Sequence, residues 1–184
     1  MMEKVVLPPF KPRRTEEEIR KECPWATTGR FGGRKPNIIT SLELRSEEME
    51  IINLRIQEKY KKIEESEVRF EEYMLDDAEY AIVAFGSAAR IAKKSIEIAR
   101  SQGIKVGLLR PITLWPFPTK EVQKLGEKMK GILSLEINAG QMVEDVRLAV
   151  NGLVPVAHFG RLGGIVPEPE EIVEALKRLI IDKK

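Results

Sequence analysis

From position 80 onward, short unbroken apolar runs alternate with stretches whose apolar residues recur every three or four positions. The runs at 81–85, 105–109, 132–137 and 154–159 predict four strands, bounded by turn residues and too short for helices. Between them, 87–102 places Ala88, Ile91, Ala92, Ile96 and Ala99 on one helical face and ends at Gly103, a residue suited to the left-handed position after a helix. Further helices are predicted over 119–130, 141–151 and 167–181. The last is entered through Glu168, Glu170 and Glu171, where a helix dipole favours acids. Such alternation implies a mainly parallel sheet covered on both faces, a three-layer α/β/α domain over 80–184. The runs stop at Gly86-Ser87-Ala88, Arg110-Pro111, Asn138-Ala139-Gly140-Gln141 and Gly160-Arg161-Leu162-Gly163-Gly164. In a parallel sheet these turns share the carboxyl edge, where open α/β folds place their ligands.

Upstream the periodicity changes. From 46 to about 75, Met49, Ile52, Ile56, Tyr60, Ile63, Phe70 and Met74 recur at spacings of three, four or seven, which predicts one long connecting helix within 46–79. Thirty residues would span roughly 45 Å, longer than the following domain is wide, so one face must meet something. Over 1–45, five prolines and three glycines break every helical pattern except 15–22, where Thr15 and Glu18 fit a capping box. This segment reads as an extended arm or linker. Trp25 and Phe31 favour an arm laid on another surface, with packing on its own domain as the alternative.

Charge divides the 184 residues in the same three places. The arm holds 10 basic and 6 acidic residues, 46–79 holds 5 and 12, and 80–184 holds 16 and 11. A net charge of +2 gives no electrostatic case for nucleic acid or a membrane surface. Cys23 is the only cysteine, which rules out an internal disulfide and any iron–sulfur cluster held wholly by this chain. No apolar stretch approaches the roughly 20 residues of a membrane span, and the first ten residues lack a signal-peptide core. A soluble cytoplasmic protein is expected.

The carboxyl-edge turns supply the candidate chemistry. Gly86-Ser87-Ala88 could offer helix N–H groups to a phosphate, but it lacks the spaced glycines of a dinucleotide fingerprint and the lysine of a P-loop, so Ser87 is read as an ordinary N-cap. Glu136, Asn138, Gly140 and Gln141 form the densest polar group. They could hold a ligand or partner backbone, or could simply satisfy their own turn and the neighbouring helix end. Arg110 and Arg161 could together clamp a carboxylate or phosphate, or could form structural ion pairs with Glu136 or Glu144. His158 is the sole histidine and reads as a packed strand residue, which leaves a metal site or a serine triad little to work with. No catalytic residue and no metal ligand is assigned.

The run at 107–118, Gly-Leu-Leu-Arg-Pro-Ile-Thr-Leu-Trp-Pro-Phe-Pro, taken with Asn-Ala-Gly-Gln-Met-Val-Glu-Asp-Val-Arg at 138–147 and Gly-Arg-Leu-Gly-Gly at 160–164, resembles the thiamine-dependent 2-oxoacid:ferredoxin oxidoreductases. The likeness is to the subunit that carries the pyrimidine-binding domain, in its C-terminal half, which is similar to the transketolase C-terminal domain. Lys-Pro-Asn-Ile-Ile-Thr-Ser-Leu at 35–42 and Asn-Leu-Arg-Ile-Gln-Glu-Lys-Tyr at 53–60 extend it over nearly the whole chain, nearest the branched-chain (2-oxoisovalerate) type. The resemblance implies a holoenzyme using thiamine diphosphate, magnesium, iron–sulfur clusters and coenzyme A, with ferredoxin as electron acceptor and other subunits as partners.

Where this sequence departs from the family, it lacks the pyrimidine-domain glutamate and the Gly-Asp-Gly metal motif of relatives. It therefore reads as a shortened chain or the product of a split gene, a scaffold that binds no cofactor alone and does not turn over by itself. In isolation the arm is expected either to self-associate or to be disordered. Two rival readings remain: a free-standing nucleotide- or anion-binding α/β module, and the equivalent domain of a transketolase or 2-oxoacid dehydrogenase E1 subunit.

Overall fold

A computed structural model describes residues 6–27, 29–33 and 35–182. The chain forms two units, one ending at Arg55 and one starting at Ile56, each described by itself.

In the first unit, 6–12 takes no regular structure. Helix α1 (Glu16–Glu22) forms through the expected capping box: Thr15 Oγ1 accepts the Glu18 N–H at 3.2 Å, and the Glu18 carboxylate accepts the Thr15 N–H at 2.7 Å. Arg14 closes on Glu22 at 2.7 Å. Beyond a 3₁₀ turn at Phe31–Gly33, Asn37 Nδ2 donates to the carbonyl of Pro24 at 3.2 Å and ties off the intervening loop. Trp25 is exposed, while the side chain of Phe31 lies outside the described residues.

Helix α2 (Ser46–Ser66) spans the division, and none of its residues is buried. The sequence pattern carries this helix to about 75, but the structure ends it at Ser66, whose hydroxyl bonds back to the Lys62 carbonyl at 2.9 Å. Phe70 and Met74 fall in phase with the helical stripe by coincidence. Phe70–Tyr73 is instead strand β1, antiparallel to the strand that contains Arg110, because an open sheet edge offers four residues a full ladder.

The remaining elements are β2 (Tyr80–Ala84), α3 (Gly86–Ser101), β3 (Val106–Pro111), α4 (Thr119–Lys128), β4 (Ile132–Glu136), α5 (Met142–Val150), β5 (Val156–Gly160) and α6 (Pro169–Leu176), the last running into a π-helical turn at Lys177–Ile181. The sheet order is β1-β3-β2-β4-β5, parallel except at β1. Five strands thus replace the four read from the sequence, and each parallel strand lies within two residues of its expected place. Ser87 is not the N-cap. Helix α3 starts one residue earlier at Gly86, with Phe85 at the cap position and no side-chain cap.

Alternation along the strands builds both faces. Ile82, Leu108, Leu133 and Leu135 pack with Ile96 of α3 and with Ile172 and Leu176 of α6, whereas Ala81, Val83, Leu109 and Ile132 pack with Val122 and Leu125 of α4 and Val146 of α5. The Leu and Ile side chains among them each contribute roughly 1.5–3 kcal/mol by leaving water. The layers are therefore α3/α6, sheet and α4/α5.

The turn from β1 to β2 lies tight on β3. A Cβ on Gly107 would stand 2.4 Å from the Met74 carbonyl oxygen, so only glycine admits this approach. Met74 itself has φ +52°, and Arg100 of α3 clips that turn by donating to the Met74 carbonyl at 2.7 Å, the Val106 carbonyl at 2.8 Å and Asp77 at 2.7 Å. The guanidinium holds the Asp77 carboxyl below its ordinary range.

Candidate functional site

After β2 the chain steps to β3 on one side, and after β3 it returns to β4 on the other, so the topological switch point lies between β2 and β4. Glu136 ends β4 at this point and is fully buried. Its carboxylate accepts the backbone N–H groups of Gln141 at 3.0 Å, Met142 at 2.9 Å and Val143 at 2.9 Å, with the Ser134 hydroxyl at 3.2 Å. Burial alone would raise the Glu136 pKa. The backbone donors outweigh it and hold the carboxyl below its ordinary value. A fixed negative charge here is also felt at Asp145, whose pKa is raised by burial first, then by Glu144 and Glu136.

The other members of the cluster complete the same turn. Asn138 Oδ1 accepts the Gly140 N–H at 2.7 Å, and Gly140 has φ +104°. Gly160 of β5 comes so close that a Cβ there would stand 2.3 Å from the Asn138 carbonyl oxygen. Glu136, Asn138, Gly140 and Gln141 are therefore brought together, and they satisfy one another. A phosphate or diphosphate does not fit this turn, because the chain's own carboxylate already occupies the α5 N-terminus.

The two arginines are not brought together. Arg110 lies on β3 and Arg161 follows β5, three strand spacings or ~14 Å apart across the sheet. Nor do they pair with Glu136 or Glu144. Arg110 Nη1 meets Glu71 at 2.9 Å, and Arg161 Nη1 lies 3.7 Å from Glu171. Glu71 also receives Lys93 of α3 at 2.5 Å. Lys93 foremost, then Arg110, keeps its carboxyl low against the opposing effect of burial.

Sequence reasoning did not place His158 beside Glu136. Its Nε2 is buried without a hydrogen-bond partner and lies 3.9 Å from Glu136 Oε1. The alternation of β5 in parallel register, Ser134 opposite His158, was the available signal. Also unforeseen is a groove of about 780 Å³, lined by the last turn of α2, Phe70, 115–117 and the start of α4. Tyr60 meets Trp115 edge to face beside it, with ring centroids 5.2 Å apart. Among the described residues, no cluster of three or more His, Cys, Asp or Glu side chains is arranged to hold a metal ion, and no helix is long and apolar enough to cross a membrane.

The family model of pyruvate:ferredoxin oxidoreductase core domain II matches residues 78–172, just over half of the chain. The chain belongs to this family. Over 165 residues it is 42% identical to the ketoisovalerate oxidoreductase subunit VorB of Methanothermobacter thermautotrophicus, an alignment that takes in 90% of this chain and 46% of that protein. The chain spans about half the length of the curated relatives it matches. The 2-oxoglutarate:ferredoxin oxidoreductase of Magnetococcus marinus superposes with a TM-score of 0.66 at 21% identity, covering 83% of this chain and 28% of that one. A split-gene transketolase superposes at 0.52 with 15% identity, covering 62% and 42%. Both structures agree with the core domain II chain in fold, as the transketolase C-terminal likeness requires.

Proposed function

We propose that this chain is the core domain II portion of a thiamine-dependent 2-oxoacid:ferredoxin oxidoreductase of the branched-chain type, acting as a scaffold at a subunit interface. The observation that carries the proposal is the 42% identity to a ketoisovalerate oxidoreductase subunit across 90% of this chain. The assembled enzyme would convert a 2-oxoacid, coenzyme A and two oxidised ferredoxins to the acyl-coenzyme A, carbon dioxide, a proton and two reduced ferredoxins. Thiamine diphosphate, magnesium and iron–sulfur clusters would come from elsewhere in the complex, working in the cytoplasm. The self-satisfied turn at Glu136 supports a scaffold role over a free-standing anion-binding module.

The test is to tag the chain in the organism that encodes it and isolate the complex in which it resides. Reduction of a viologen dye is then measured with 2-oxoisovalerate, 2-oxoglutarate and pyruvate in the presence of coenzyme A. A complex that prefers 2-oxoisovalerate supports the proposal. Preference for another acid overturns the branched-chain assignment, and a chain that purifies with no oxidoreductase activity overturns the whole. Micromolar binding of a nucleotide by the chain alone would favour the anion-binding module.

A further inference from the structure

The groove beside Trp115 and the first described residues of the arm share a complementary chemistry. Phe70, Trp115, Pro116 and Phe117 give the groove an aromatic and proline floor, and Trp115 is 54% exposed. Glu64, Glu65 and Glu121 line it together with Lys61 and Lys120, one net negative charge. Glu64 and Glu65 stand in the last turn of α2, which has no basic residue and whose free carbonyls add negative potential. Among the described residues the three glutamates have no ion-pair partner. A groove of this make-up suits a proline-rich, basic, extended peptide, whose preformed backbone loses little entropy on docking.

The chain carries such a peptide at 6–14: Val-Leu-Pro-Pro-Phe-Lys-Pro-Arg-Arg. It holds three prolines, four cationic or aromatic side chains and no acid. Val6, Leu7 and Phe10 are each at least 80% exposed, and Lys11 and Arg13 have no ion-pair partner among the described residues, while Arg14 is held by Glu22.

We propose that residues 6–14 of one copy dock in the Trp115 groove of a second copy, with prolines and Phe10 on the aromatic floor and Lys11 and Arg13 toward Glu64 and Glu65. This association is independent of the oxidoreductase reading. It is a self-assembly contact in which each chain offers both halves.

A charge exchange tests it with the full chain. Light scattering and sedimentation should show concentration-dependent self-association of the unaltered protein. Lys11→Glu with Arg13→Glu should weaken it about tenfold, as should Glu64→Lys with Glu65→Lys, and an equimolar mixture of the two variants should restore it, since each then meets an opposite charge. These side chains are exposed, and circular dichroism checks that the variants fold. As a second readout, a synthetic 6–14 peptide should shift the Trp115 fluorescence of the Trp25→Phe protein, and a scrambled peptide should not. Three results would each overturn the proposal: a monomer at every concentration, association that ignores both charge reversals, or a peptide without effect. Arm-dependent Trp115 fluorescence in a strict monomer would place the arm on its own chain and likewise refute docking between copies.

Discussion

Glu71 and Arg110 stand directly opposite each other in β1 and β3, with Nη1 and Oε2 2.9 Å apart. This pair, with Lys93 joining from α3, fastens the antiparallel edge strand to the parallel sheet. Its side chains are over a third exposed, so screening limits its worth. Glu71→Gln is expected to cost about 0.5–1 kcal/mol in urea unfolding at low salt and less at 1 M salt. The Glu71 carboxyl is lowered in the fold, so its contribution is present above its ordinary value of 4.5 and is lost as pH falls through the folded value.

Removing the Glu136 carboxylate should be the more damaging change. Glu136→Ala strands three backbone donors in the interior, and a loss of about 2–4 kcal/mol is expected. Formate or acetate should restore part of it by entering the vacated N-terminus of α5. Glu136→Gln keeps the volume but turns an amide donor toward donors. Because the native carboxyl is depressed, the protein should lose stability as pH falls below 4.5, and the Gln variant should show a shallower decline. Urea midpoints from pH 7 to 3 would show this; an unchanged slope would remove Glu136 from the account.

Arg100 supplies a third test. Lysine in its place cannot reach two carbonyls and a carboxylate at once, so Arg100→Lys should cost about 1–2 kcal/mol, while Asp77→Asn, at a more exposed partner, should cost less. Amide exchange at Asp77 and Ala78 should accelerate in the lysine variant before exchange in β2 does.

Alone, the chain is expected to bind thiamine diphosphate below detection by calorimetry and to release no carbon dioxide from 2-oxoisovalerate. At the N-terminus of α5 the N–H groups of Gln141, Met142 and Val143 are already taken by the Glu136 carboxylate and are not offered to a diphosphate. A measurable thiamine-dependent rate from the purified chain would refute the scaffold assignment.

Much of this architecture was legible because local pattern and tertiary role agree. Ile82 and Ala84 against Ala81 and Val83 state a strand buried on both faces, and Thr15 with Glu18 states a helix start. Glu136, Asn138, Gly140 and Gln141 were legible as a cluster, along with the possibility that they satisfy themselves. What failed was non-local. Phe70–Tyr73 is a strand only because β3 lies beside it, and four residues cannot declare that by themselves. The separation of Arg110 from Arg161 depends on the reversal of strand order at β2, which no local spacing encodes.

The pairing of Glu71 with Arg110 has a temporal side as well. The two are 39 residues apart, and β3 must be made before β1 has anything to pair with. During synthesis Phe70–Tyr73 is produced ahead of β3, in an interval when its backbone N–H and C=O groups are open to neighbouring nascent chains. Crowding of ribosomes on one message would therefore fall hardest on this unpaired strand, and slow translation between β1 and β3 would lengthen the time for which it stands open.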